Sequence, residues 1–333
     1  MAVGDLDGDG RNEVVFINRN RLSVYRYQQQ RLNPMARMEG KSYTHHLTVD
    51  TADINGNGRA EIFVSSLYKK HDRLNSFVLE WDGNRLRPLA QGQPWYYRVL
   101  HRPGEEPLLL GQRRGIIERQ DAYQMRDTGQ LFIGRVYQLT RQGDGYEKDR
   151  ALNLPEGVNV FNFNYLHNEG TVGPLLVTLD PSDRLNLVEG NGRTQWTSPD
   201  RYGGNTTFLE MPAGAGDDRQ PAMARYYLPQ RILVVDTDAD GRQEAVVVRN
   251  RDANRGLTGR FRRYKSGALE AFVWEKATFR QHWKTDEMSG YISDYTLADL
   301  DGDGTGELLF TLVTPGKGVT GKNHSSLVAW RIR

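Results

Sequence analysis

The 333 residues include no cysteine. That excludes disulfide frameworks, thiolate metal sites and thiol nucleophiles. No run of eighteen apolar residues occurs, so no transmembrane helix is encoded. A surplus of one charge is missing as well: 44 Lys and Arg stand against 42 Asp and Glu, which gives no basic excess of the kind a nucleic-acid partner selects. The signatures His-Glu-x-x-His and Gly-x-Ser-x-Gly are absent, and so is a phosphate-binding glycine loop. The histidines (45, 46, 71, 101, 167, 282 and 324) are scattered, and the neighbours His45 and His46 would point to opposite faces of a strand. Adjacent acids such as Glu105-Glu106 and Asp217-Asp218 read as solvated turns. No catalytic residue is assigned. Nor does a leader peptide precede the first motif, because Met1 runs directly into Ala2-Val3-Gly4-Asp5; the chain reads as a fragment with its export signal upstream.

What is present is glycine, at 35 residues, and a repeat. Four segments share one pattern: Asp5-x-Asp7-x-Asp9-Gly10-Arg11-x-Glu13, Asp53-x-Asn55-x-Asn57-Gly58-Arg59-x-Glu61, Asp236-x-Asp238-x-Asp240-Gly241-Arg242-x-Glu244 and Asp299-x-Asp301-x-Asp303-Gly304-Thr305-x-Glu307. Each runs into a short apolar, β-prone stretch, such as Val14-Val15-Phe16-Ile17 or Leu308-Leu309-Phe310. A second such stretch follows and ends in an aromatic: Tyr25, Trp81, Trp274 or Trp330. Short runs bounded by Gly, Asn and Asp read as antiparallel strands.

The first two motifs start 48 residues apart and the last two 63 apart, and the gap of 183 between the pairs equals three periods of 61. Two degenerate repeats fit there, one around Leu108-Leu109-Leu110 with residues 131–137, the other around Leu175-Leu176-Val177 with residues 185–188. Six repeats of about four strands each match the size of a propeller blade. The approximate bounds are 1–42, 43–93, 94–156, 157–204, 205–287 and 288–333. The expected fold is one all-β β-propeller domain of four-stranded blades, six in this chain, or seven if an upstream segment is missing.

Oxygen ligands at loop positions one, three and five, a glycine at six and an acid at nine suit a hard cation held partly by carbonyl oxygens, and calcium fits better than magnesium. The glycine permits the positive φ of a sharp turn. Position seven would supply its carbonyl, which explains the free variation among Arg11, Arg59, Arg242 and Thr305. An EF-hand is excluded, because its twelfth position carries a bidentate glutamate and here holds Phe16, Val64, Val247 or Phe310. Up to four calcium ions are expected between strands, the Asp53 loop being weakest because two asparagines replace its acids.

These motifs resemble the FG-GAP/VCBS repeat proteins, the group of the integrin α-subunit propeller. The resemblance is strong in four repeats and weak over 94–230. It implies a propeller with calcium loops between the first and second strands of a blade and ligand binding on the opposite face. It also implies adhesion or glycan binding outside the cytoplasm, with polysaccharide-cleaving enzymes as the alternative. On that opposite face the loops between second and third strands carry Lys69, Lys70 and Arg73, then Arg249, Arg251 and Arg255, then Lys317 and Lys322. These form a candidate basic surface for a protein or an acidic glycan. Trp95-Tyr96-Tyr97 reads as an inner strand feeding the inter-blade core, with a sugar-stacking platform as the other reading; Tyr226-Tyr227 is treated alike.

Overall fold

The computed structural model describes residues 1–68, 73–102, 104–115, 131–167, 175–212, 223–253, 262–316 and 322–332. Among them every regular element is a strand. The first sheet orders β1 (Ala2–Gly4), β2 (Glu13–Ile17), β3 (Arg21–Gln28) and β4 (Arg31–Glu39). The second orders β5 (Thr44–Ala52), β6 (Glu61–Tyr68), β8 (Ser76–Trp81) and β9 (Leu86–Gln93), with short β7 (Arg73–Leu74) on β6. The third runs β10 (Tyr96–Leu100), β11 (Leu108–Arg113), β12 (Ile133–Gln142) and β13 (Gly145–Ala151). The fourth runs β14 (Phe163–Leu166), β15 (Leu175–Leu179), β16 (Arg184–Glu189) and β17 (Thr194–Arg201).

A hairpin, β18 (Phe208–Pro212) with β19 (Met223–Tyr227), then stands outside any blade. The fifth sheet orders β20 (Leu233–Val235), β21 (Glu244–Asp252), β22 (Tyr264–Glu275) and β23 (Thr278–Lys284), with β24 (Met288–Ser289) on β22. The sixth holds β25 (Tyr291–Ala298), β26 (Glu307–Thr314) and β27 (His324–Trp330), three strands among the described residues. All pairings between consecutive strands of a sheet are antiparallel, so each sheet is a meander, and together they form a six-bladed β-propeller.

The side-chain period of two explains why each second strand carries an unbroken apolar run of three or more residues. On β6, Ile62 and Val64 pack against blade one, whereas Phe63 between them packs against blade three. On β21, Ala245 and Val247 meet blade four and Val246 and Val248 meet blade six. Burial on both faces leaves no polar side to such a strand. Six core clusters result, one at each blade interface.

The sixth cluster joins Met1 and Val14 of blade one to Leu300 and Leu309 of blade six. Asn12 Nδ2 reinforces that seam by donating to the Asp299 carbonyl at 2.6 Å. The ring therefore closes on six blades, and the choice between six and seven is settled by this interface.

Candidate metal centres and the central channel

All four acidic motifs connect the first strand of a blade to the second, so the meander places them on one face of the ring. Their internal bonding repeats. The Asp5 carboxylate accepts the amides of Gly8 at 2.7 Å and Gly10 at 2.8 Å. Asp53 accepts those of Gly56 at 2.8 Å and Gly58 at 2.7 Å, and Asp299 those of Gly302 at 2.7 Å and Gly304 at 2.9 Å. Asp236 accepts Asp240 N at 3.2 Å and Gly241 N at 2.9 Å. The position-five side chain accepts the amide of position seven: Arg11 onto Asp9, Arg59 onto Asn57, Arg242 onto Asp240 and Thr305 onto Asp303, at 2.8–2.9 Å. The glycines at position six all have φ of 80–87°, as the sharp turn requires.

The position-nine glutamate opens the second strand and reaches back to the amide of position two. Glu13 accepts Leu6 N at 3.0 Å, Glu61 accepts Ile54 N at 2.7 Å, Glu244 accepts Thr237 N at 2.7 Å and Glu307 accepts Leu300 N at 3.0 Å. These four glutamates are at most 3% exposed. Burial pushes the carboxyls of Glu13, Glu61 and Glu244 above the ordinary value, against the lowering effect of those hydrogen bonds.

The donor set fits a cation. Asp7 Oδ1 and Glu307 Oε1 are buried without a hydrogen-bond partner, the condition an ion relieves. Carboxylate oxygens converge within 4.8 Å in Asp5/Asp7/Glu13, in Asp236/Asp238/Asp240 and in Asp299/Asp301/Asp303. In blade five His282 joins Asp238 and Glu244 at the same spacing, with its Nε2 3.0 Å from Asp238 Oδ2. The Asp53 loop differs, because Asn55 and Asn57 donate side-chain amides to Glu61 and Glu80.

Arg26, Glu80, His282 and Arg331 stand beside the loops on the third or fourth strand, or just after β27, and sequence spacing did not single them out. Arg26 bonds Asp7 and Glu13, and Arg331 lies 3.0 Å from Asp301 and 2.5 Å from Asp303. Only the register of the sheet brings these residues to the loops.

A second polar assembly blocks the central channel. Asp50 on β5, Arg98 on β10, Arg231 just before β20 and Asp294 on β25 are contributed by blades two, three, five and six. Arg231 donates to Asp294 at 2.7 and 3.1 Å, a bidentate pair, and to Asp50 at 2.9 Å across the ring. Arg98 approaches Asp50 at 3.4 Å. Burial alone would raise the Asp294 carboxyl, but Arg231 outweighs it and holds the group well below the usual range. Arg98 and Arg231 line two cavities, one of about 270 Å³ toward Arg19, His45 and Asn205, the other of about 330 Å³ toward His101, Arg102 and Asp236. The Met1 amino group adds a further contact to Asp294 at 2.6 Å, so interlocked charges divide the channel. Signals existed in the sequence: Asp50 and Arg98 interrupt apolar inner strands at Val49-Asp50-Thr51 and Tyr97-Arg98-Val99.

On the other face, the strand order gathers the loops between second and third strands, together with the inserted hairpin. Arg249 pairs with Asp200 at 2.9 Å and lies over the Tyr202 ring, and Arg251 pairs with Glu287 at 3.0 Å. Arg73 and Lys322 are exposed. Lys69, Lys70, Arg255 and Lys317 lie outside the described residues. Trp95, Tyr96 and Tyr97 are at most 1% exposed, so they are core and form no platform. Tyr226 packs partly buried on the core between blades three and four. His46 is buried against Ser66, and burial pushes its pKa down to about 4.

Residues 5–64, which span the first two acidic loops, match the family model described as FG-GAP-like repeat. No curated protein sequence matches the chain. Among solved structures, a Thermus thermophilus protein described as an oxidoreductase (glucose dehydrogenase) is similar at 15% identity, covering 98% of this chain and 95% of its own, with a TM-score of 0.46. BBS1N, solved in complex with ARL6DN, is similar at 12% identity over 99% of this chain and 91% of its own, also at 0.46. A europium-containing methanol dehydrogenase follows at 10%, covering 96% of this chain and 67% of its own, at 0.38. At these values none of the three assigns an activity.

Proposed function

We propose that this six-bladed β-propeller, whose residues 5–64 match the FG-GAP-like repeat, is a calcium-stabilised scaffold that works outside the cytoplasm by holding a protein or glycan partner. The observation that carries the cation half is the pair of buried oxygens that lack a hydrogen bond, Asp7 Oδ1 in blade one and Glu307 Oε1 in blade six. Asp5, Asp7, Asp9 and Glu13 would hold the ion in blade one, Asp53, Asn55, Asn57 and Glu61 in blade two, Asp236, Asp238, Asp240 and Glu244 in blade five, and Asp299, Asp301, Asp303 and Glu307 in blade six. Bound calcium would supply fixed positive charge that favours the ionised form of Glu13, Glu61 and Glu244, whose carboxyls burial pushes up; it needs no chemistry beyond that.

Shallow, solvent-facing oxygen loops suit the weak affinities of extracellular modules, on the order of 10⁻⁴–10⁻³ M, which supports an extracytoplasmic setting. The partner surface in this reading is the face with the inserted hairpin, opposite the ions. Equilibrium dialysis of the chelator-treated protein against millimolar calcium, followed by metal analysis, is expected to retain up to four equivalents. Retention of none would overturn the reading.

A further inference from the structure

The residue across the sheet from the position-nine glutamate varies in charge with the loop it serves. In blade one Glu13 is paired with Arg26. In blade six Leu308 pairs with Trp330, which brings the next residue, Arg331, beside Glu307 at 3.6 Å. In blade two Ile62 pairs with Leu79, which brings Glu80 beside Glu61. The loops of blades one and six each hold four acids and meet an arginine; the loop of blade two holds two and meets a further acid. The third-strand charge is thus opposite in sign to the surplus or shortage of acids in the loop, and in blade two Glu80 itself meets Arg87 at 3.7 Å. Blade five has Val273 at this register, and there Arg242 bridges Asp240 at 2.8 Å and Glu275 at 2.6 Å.

Glu80 also fixes geometry. It accepts Asn55 Nδ2 at 3.0 Å and Asn57 Nδ2 at 2.7 Å. The amide oxygens are thereby turned to the loop backbone, where Asn55 Oδ1 accepts Asn57 N at 3.1 Å and Asn57 Oδ1 accepts Arg59 N at 2.9 Å. A carbonyl oxygen has two lone pairs, so each keeps one for a cation.

We propose that the third-strand position is a charge-trimming and positioning site. Glu80 makes the asparagine-bearing loop competent for calcium, and Arg26 and Arg331 moderate the acid-rich loops of blades one and six. The inference rests on the cation-binding reading above, and it adds a third-strand acid to the loop with the fewest carboxylates.

Calorimetric calcium titration of the full chain tests it. In Glu80→Gln, one equivalent is expected to weaken about 10-fold to 100-fold, the usual effect of losing a partner that orients a metal's ligands. Glu80→Asp is expected to recover part of that loss. The double variant Arg26→Gln/Arg331→Gln, at partly exposed positions, is expected to tighten two equivalents. Unchanged affinity in Glu80→Gln, or weakening in the arginine variant, would overturn the proposal. Wild-type protein that takes up no calcium would remove the cation reading and this inference together, a result seen before any variant is made.

Discussion

Blades one, two, five and six carry acidic loops, and blades three and four do not, yet all six share one meander. Where blade one spends residues 5–13 on its loop, blade three crosses from β10 to β11 through residues 101–107, with Arg102 paired to Glu105 at 2.7 Å. Most of the largest fully buried rings gather around blade three: Trp95, Tyr96, Tyr97 and Tyr146 within it, Phe63 from blade two and Phe161 before β14, whereas Tyr295 and Phe310 lie in blade six. Those around blade three interlock edge to face, as Tyr96 with Phe161 at 5.4 Å and Phe63 with Tyr146 at 5.2 Å. The blade is therefore specified by two-sided apolar second strands, and the acidic loops are an addition that, under the proposed function, makes part of the ring responsive to cations.

The largest expected effect lies in the loopless half. Phe161→Ala should cost about 3–5 kcal/mol by emptying a closely packed core. The loss, read from chemical denaturation, should be the same with chelator and with calcium. A loss that calcium reverses would erase the distinction between the halves.

The channel assembly links the halves, because Arg231 ties blade five to blades two and six while Arg98 of blade three meets Asp50 of blade two. Arg231→Ala should cost about 3–5 kcal/mol, since it removes the bidentate partner of buried Asp294 and leaves Asp294 to the Met1 amino group and Asp50 to the longer contact with Arg98. The folded-state pKa of Asp294 lies below its unfolded value, so its contribution is present above the unfolded value, about 3.9, and is lost as pH falls through the folded one. The alanine variant should accordingly lose less stability than wild type on acidification below pH 4. Equal acid sensitivity would show that the pair does not set this limb of the curve.

These contrasts also show what the sequence made legible. The acidic loops, their glycines and the strands after them could be read directly, because ligand spacing and side-chain alternation are local. The partners of the loops could not: Arg26 lies 13 residues from Glu13 and His282 lies 44 from Asp238, and only strand register joins them. The channel pair Asp50–Arg231 spans 181 residues. The basic-loop reading rested on composition, which does not reveal that Asp200 and Glu287 neutralise Arg249 and Arg251.

A smaller effect compares the loops with one another. Position four has positive φ in every loop, at Gly8, Gly56, Gly302 and, with φ of 59°, Ala239. Left-handed backbone costs an L-residue about 1–2 kcal/mol, partly offset by the entropy glycine loses on folding. Ala239→Gly should therefore stabilise the protein by about 0.5 kcal/mol, a shift measurable in urea. A destabilised variant would refute the strain.

The central claim, that the acidic loops are cation sites built into the propeller, is tested most directly by thermal unfolding in EDTA and in millimolar calcium. A ligand that binds only the folded state stabilises it by mass action, about 2.7 kcal/mol per site at a hundredfold excess over Kd. A midpoint that rises with calcium and falls on chelation is the predicted result. Superimposable melting curves in the two conditions would contradict it.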